Sequence, residues 1–171
     1  PGSAGGKLWH IVDYESYADE GFNQNEIIYS AIMFKARAIS QTPAQAYTGT
    51  MSNRDPLEDE QGGMMALAES PNAYQSFVEF VQLCLVYLNL SGNVFIYMDT
   101  DGAQPSWHPL RPDRVTIIPM PADNTVGYMY VPDGGTEDDA IPVTRDQMMH
   151  IKFPNPRDRL GGMDYGMSPL S

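Results

Sequence analysis

The residues best placed to do chemistry begin at Asp99-Thr100-Asp101-Gly102, which reads like the opening of a calcium loop. Such a loop needs further oxygen ligands and a glutamate near its twelfth position. Leu110 stands there instead. Asp-Gly between two alternating segments is a hairpin turn on the dipeptide alone, and that is the expectation here. His10, His108 and His150 are too scattered for a metal-ligand signature, and no HExxH spacing accompanies them. His150 falls in a strand-like segment between Met149 and Ile151, a place for a structural imidazole. Gly161-Gly162-Met163-Asp164-Tyr165-Gly166 has the glycines of a phosphate loop. It lacks both the GxGxxG spacing and the Lys-Ser/Thr that should follow, so it is expected to be a connection. No GxSxG elbow surrounds any serine. Asn89-Leu90-Ser91 is a glycosylation sequon on paper, but it overlaps an expected helix end. The single cysteine, Cys84, falls on an apolar helix face and is expected to be a small buried hydrophobe. The residues therefore predict no catalytic, metal-binding or cofactor-binding group. An enzyme ranks last among the functional classes.

Composition narrows the field further. The formal net charge is −12 over 171 residues, which disfavours wrapping nucleic acid by phosphate neutralisation. Arg111, Arg114, Arg145, Lys152, Arg157 and Arg159 hold six of the ten basic residues. Asp113, Asp146 and Asp158 are interspersed among them, so solvated or intersubunit ion pairs are expected over a DNA-facing strip. One cysteine excludes an internal disulfide. No signal segment is visible, and no apolar run approaches the roughly 18 residues of a membrane span. The nearest, Val78 to Leu90, is interrupted by Glu79, Gln82 and Asn89. Met64, Met65, Met148, Met149, Met163 and Met167 read as adaptable core or subunit-contact residues.

The elements that would position these residues follow from periodicity. Asn25 to Ile39 predicts a helix with Ile28, Ala31, Ile32, Ala36 and Ile39 on one stripe, and Glu26 suits its N-terminal dipole. Burying such a stripe contributes roughly 1.5–3 kcal/mol per large side chain before entropy is subtracted. Pro43 stops that helix; Ala44 to Thr48 predicts a strand, Gly49 to Gly63 a polar surface loop and Met64 to Glu69 a short helical turn. Asn72 to Leu90 predicts the long helix, with Ser70 as N-cap and Pro71 at its first position. Phe77, Phe80, Val81, Cys84, Leu85 and Leu88 share one face of it. Gly92 suits a C-terminal stop at φ > 0. Asn93 to Asp99 alternates as a strand and returns through Asp101-Gly102 to a second strand bearing Trp107. Pro109, Pro112 and Asp113 then predict a rigid corner leading to a strand at Val115 to Ile118. Turns are signalled at Ala122-Asp123-Asn124, Asp133-Gly134-Gly135 and Thr144-Arg145-Asp146, with strands at Val126 to Val131, Ala140 to Val143 and Met148 to Phe153. Ser168-Pro169 predicts a helix start. The fold class expected is α+β: two main helices packed on a small, strongly bent antiparallel β-sheet or partial barrel. Residues 1–20 are expected to be a flexible arm, with Pro1 to Gly6 a cut or tag remnant.

In order, a long apolar helix, SGNVFIYMDTDG, HPLRPDRVTI, MMHIKFPNP and GMSPLS resemble the portal proteins of tailed bacteriophages. The matching positions are Gly92-Asn93, Pro109-Leu110, Pro112, Val115, His150-Ile151-Lys152 and Ser168-Pro169-Leu170. Upstream, GFNQNEIIYSAIMFKARAISQTPAQAY is similar to the family's first helix and following strand, so the resemblance runs from Gly21 onward. It implies a wing-forming domain at 21–171, with stem, clip and crown segments beyond Ser171. It also implies a homo-oligomeric ring, about twelve subunits in the usual case, closed by heterologous contacts. That dodecamer would sit at a capsid vertex and pass double-stranded DNA without sequence-specific binding. It would dock capsid, packaging-motor and tail-connector proteins, be found in the virion and, before assembly, in the host cytoplasm, and touch no membrane. A second expectation of a different class is a non-catalytic module gripping a peptide or glycan in a groove lined by tyrosine and tryptophan.

Overall fold

The computed structural model describes residues 18, 22, 25–43, 47–50, 52–56, 64–101, 105–120, 125–157 and 164–170. Most of the 1–20 arm lies outside these residues. So do 57–63 of the expected loop, Gly102, the turn at Ala122-Asp123-Asn124, Gly161 to Met163, and Arg159.

Helix α1 spans Glu26–Ser40. Asn25 caps it, its Oδ1 accepting from the N–H groups of Ile27 (3.1 Å) and Ile28 (3.3 Å). Ile32, Ala36 and Ser40, four residues apart, are buried. Two members of the expected stripe are not: Ala31 is exposed and Ile39 is 52% exposed. The helix is apolar around much of its circumference, so sequence spacing alone could not choose its inner face.

The chain then forms a two-stranded antiparallel hairpin, β1 (Tyr47–Thr50) and β2 (Asn53–Pro56), exposed along both strands. This corrects the expectation of a continuous loop from Gly49. Asn, Arg, Asp and Pro are poor strand formers, and β2 gives no alternation to read. A short helix α2 (Met64–Glu69) follows as expected.

Helix α3 spans Phe77–Ser91, starting five residues later than predicted. Ser76, not Ser70, is its N-cap, in a capping box with Glu79: the carboxylate accepts from Ser76 N–H (2.9 Å) and hydroxyl (2.7 Å). Residues 70–75 have a different task. Pro71 carbonyl accepts from Trp107 N–H at 2.7 Å, and Asn72 Nδ2 donates to Trp107 carbonyl at 2.9 Å. The apparent helix start is thus drawn off to cover a strand edge.

Strand β3 (Asn93–Asp99) pairs antiparallel with both β4 (Ser106–Leu110) and, later in the chain, β8 (Met148–Lys152). The expected reversal after Asp99 is present: Asp99 pairs with Ser106, and Asp99 Oδ1 accepts from Asp101 N–H at 3.0 Å. A second ladder runs β5 (Val115–Met120), β6 (Thr125–Tyr130), β7 (Ile141–Val143), again antiparallel. Three-residue 3₁₀ turns at Pro112–Arg114, Glu137–Asp139 and Arg145–Gln147 join the strands. The fold is α+β, and among the described residues its strands fall into three ladders with no closed barrel. Ser168-Pro169 opens a turn rather than a helix in the described residues, with Leu170 N–H donating to Ser168 Oγ at 3.1 Å.

These elements stack in layers. Ile32 of α1 packs with Leu90, Val86 and Tyr87 of α3. The other side of α3 brings Phe80, Val81, Cys84 and Leu88 onto Val94 and Ile96 of β3, with Trp107 and Met149. β3 alternates, so Phe95 points the opposite way. There it meets Val115, Ile117, Tyr128, Val143 and Met148. The order is therefore α1, α3, the β4-β3-β8 ladder, then the β5-β6-β7 ladder. β3 is covered on both faces, and Val94 and Phe95 are 1% and 0% exposed.

Candidate functional site

The joint between α3 and β3 is where sequence-distant parts of the chain meet. α3 ends in the left-handed region, with Gly92 at φ 75° and ψ 5°. An L side chain there costs roughly 1–2 kcal/mol, whereas glycine adopts it freely. Gly92 N–H donates to Leu88 carbonyl and Gly92 carbonyl accepts from Phe153 N–H, both at 2.9 Å. The position predicted for a helix-stopping glycine does stop the helix. A Cβ at 92 would also strike the backbone of Met167 and Ser168. The segment 164–170 therefore lies directly over the joint.

Asn93 holds that segment down. It is 2% exposed and all its amide groups are used. Nδ2 donates to the carbonyls of Ser91 (2.8 Å) and Gly166 (3.3 Å), while Oδ1 accepts from Gly166 N–H at 2.6 Å. Oδ1 also lies 3.0 Å from His150 Nε2. Since Oδ1 can only accept, Nε2 carries the proton and donates. The His150 ring stacks on Phe95 with centroids 4.3 Å apart and meets the edge of Tyr128 at 6.1 Å. Burial, reinforced by the Lys152 ammonium, pushes its pKa down to about 4. At neutral pH it is an uncharged, hydrogen-bonded imidazole, the structural role expected for it. Gly166 must be glycine for space: a Cβ there would meet Gly92 carbonyl, Lys152 Cβ and Phe153 carbonyl.

Tyr165 ties the same segment to the second ladder. Its hydroxyl accepts from Ile117 N–H (2.9 Å) and donates to Val115 carbonyl (3.1 Å), both on the outer edge of β5. A side chain thereby fills the ladder positions a further strand would use. Burial pushes this phenol up to about 12. Asn155 Nδ2 donates to Tyr165 carbonyl at 2.8 Å, and Lys152 donates to Asp164 carbonyl.

The proline corner is a second fixed point. Pro112 is buried and opens the 3₁₀ turn. The Asp113 carboxylate, 2% exposed, accepts from Arg111 Nε (3.2 Å) and Nη2 (2.9 Å). Asp133 lies 3.8 Å from Arg111 and 3.9 Å from Arg114. These two arginines therefore form ion pairs within the chain, and at 40% and 31% exposure they fit the expected solvated pairs. Of the other flagged residues, Asn89 of the paper sequon is buried, its Nδ2 donating to Leu85 carbonyl at 2.7 Å. Burial pushes the Cys84 thiol up to about 12, which favours the protonated thiol over the reactive thiolate at neutral pH. Among the described residues no group of three His, Cys, Asp or Glu side chains could hold a metal, and no helix is long and apolar enough to cross a membrane. What the joint can do is mechanical: it fixes the angle between a helix, a two-sided central strand and the segment 164–170.

Residues 26–171 match the phage portal protein family. The chain belongs to that family. No curated protein matches it. Among solved structures, this portal chain is similar to the neck of an empty gene transfer agent particle computed with C6 symmetry. The TM-score is 0.74 and the identity 25%, over 92% of this chain and 40% of that one. The neck of a native gene transfer agent particle computed with C12 symmetry gives a TM-score of 0.71 at 24% identity, over 95% and 40%. The virion of the native particle gives 0.71 at 24%, over 92% and 39%. The portal chain thus spans about 40% of the length of the structures it matches. Three of the fragments carrying the resemblance fall at the joint, and Pro109-Leu110, Pro112 and Val115 fall at the proline corner. Gly92-Asn93 is the centre of the joint, His150 to Lys152 lies beside it, and Ser168 to Leu170 closes over it. Sequence reasoning missed Gly166 and Tyr165 as partners of this site, because their contacts bridge 73 and 48 residues with no spacing pattern.

Proposed function

We propose that this chain is the wing-forming part of a portal subunit, a homo-oligomeric ring through which double-stranded DNA is packaged into and ejected from a capsid. The family match over residues 26–171 carries the proposal. Similarity to a particle neck with C12 symmetry supports a dodecamer at a capsid vertex. In this reading 21–171 is one wing domain preceded by an arm at 1–20, and stem, clip and crown belong to the rest of the protein. The role is structural rather than catalytic, and ATP hydrolysis belongs to a separate motor subunit. Capsid, packaging-motor and tail-connector proteins are the other partners, with the host cytoplasm as the site before assembly. A net charge of −12 suits a passage for DNA better than a grip on it, because like charge discourages adhesion. The peptide- or glycan-groove reading draws no support from the hollow along α1. That hollow, about 450 Å³, is lined by residues of a single helix and its cap, not by converging aromatic walls. Electron microscopy of the full-length protein tests the proposal. Rings with an axial hole are expected; monomers at every concentration would overturn it.

A further inference from the structure

The two ends of the layered stack have faces that the described residues leave wholly or partly uncovered. On α1, Ile27, Ala31, Phe34 and Ala38 recur at four, three and four residues, on the side opposite Ile28, Ile32 and Ala36. Ile27 is 80% and Phe34 76% exposed. A helix apolar on both sides is a helix covered on both sides, yet among the described residues only the α3 side is covered. At the other end of the stack, the β5-β6-β7 ladder turns Ile117, Tyr128 and Val143 inward. Strand alternation puts Ile118, Met129 and Pro142 outward. Ile118 is 38% exposed and Pro142 is exposed, with Thr116 and Met129 half-buried beside them.

The charges at the two ends are opposite. α1 carries one acid, Glu26, and two bases in a chain of net charge −12; Lys35 reaches back to α3, its Nζ donating to Asn89 Oδ1 at 3.5 Å, so Arg37 is the base beside the outer face. From Val115 to Val143 there is no lysine or arginine; Asp133 is paired with Arg111 and Arg114, and Glu137, Asp138 and Asp139 are exposed.

Resting on the ring reading above, we propose that the outer face of α1 in one subunit docks on the outer face of the β5-β6-β7 ladder in the next copy. A cyclic ring needs two different, complementary faces on each subunit, because its contacts are heterologous. An apolar helix face with Arg37 beside it, at the far end of the stack from a sheet face flanked by the exposed acids Glu137 to Asp139, meets that requirement. A two-fold dimer would instead bring α1 to α1 and leave the sheet face of each copy bare.

Paired cysteines in the full-length protein test the docking. Phe34→Cys and Ile118→Cys are made singly and together, with oxidation after assembly. The double variant is expected to give a ladder of covalent oligomers. A mixture of the two single variants should give heterodimers, and Phe34→Cys alone no dimer. Covalent Phe34→Cys homodimers, or native-mass rings without crosslinks in the double variant, would overturn the docking while leaving the ring reading intact. A wild-type protein that never forms rings would overturn the ring reading itself. Should Ile118→Cys fail to fold, Thr116→Cys on the same face replaces it. As a second arm, Phe34→Asp should abolish rings with the melting temperature of the subunit unchanged. Rings that survive Phe34→Asp, with or without a lowered melting temperature, would also overturn the docking.

Discussion

The joint at Gly92-Asn93 and the outer face of α1 break the usual rule of burial in opposite directions. At the joint a polar side chain, Asn93, is 2% exposed. On α1 the aromatic Phe34 is 76% exposed. The first is stable because each amide group has a partner, so burial leaves no desolvation cost unmet. The second has no partner among the described residues, so its apolar surface remains free to contribute to association. The contrast separates two kinds of sensitivity. Changes at the joint should be felt in stability, and changes on α1 in assembly.

The largest effect is expected from Gly92→Val. Backbone strain in the left-handed region costs about 1–3 kcal/mol, and the new side chain would meet the backbone of Met167 and Ser168. Chemical denaturation should show a large loss; an unchanged midpoint would dissolve the contrast. Asn93→Leu comes next. It keeps the volume but strips Gly166 N–H and the His150 imidazole of their acceptor. Each buried group left unpaired costs about 1–3 kcal/mol, and the Gly166 amide should lose its protection from hydrogen exchange.

The third effect depends on pH. His150 has a pKa of about 4 in the folded chain, below its ordinary 6.5. The unfolded chain therefore binds more protons between those values, and stability falls as pH drops through that window. Above about pH 6.5 the contribution is fully present. His150→Gln should flatten the slope of melting temperature between pH 6.5 and 4 relative to the wild type, and an identical slope would place the titration elsewhere. The smallest effect belongs to the other region. Ile27→Lys, at an 80% exposed position, should change stability by no more than about 0.5 kcal/mol, as read by thermal melting.

Much of the fold was legible before the coordinates. α1 begins and ends within a residue of its sequence pattern, because Asn25 and the apolar spacing mark it unambiguously. The reversal from β3 to β4 and the glycine stop of α3 follow from local chemistry that nothing overrides. The start of α3 was misread because Ser70-Pro71 and Ser76 both look like caps. A long-range contact, Trp107 N–H to Pro71 carbonyl, decides between them. Ala31 and Ile39 were assigned to the core because period alone does not show which of two apolar faces is inside. The site was half legible. Gly92 and Asn93 stand out, but their partners Gly166 and Tyr165 are joined to the joint only by folding.

Hydroxyl-radical footprinting of the full-length protein, as separated subunit and as assembled ring, measures side-chain access in both regions at once. Phe34 and Met129 should lose labelling when the ring forms, while Phe95 and Met148 stay equally protected in both states. Phe34 labelled to the same extent in ring and subunit would contradict the account.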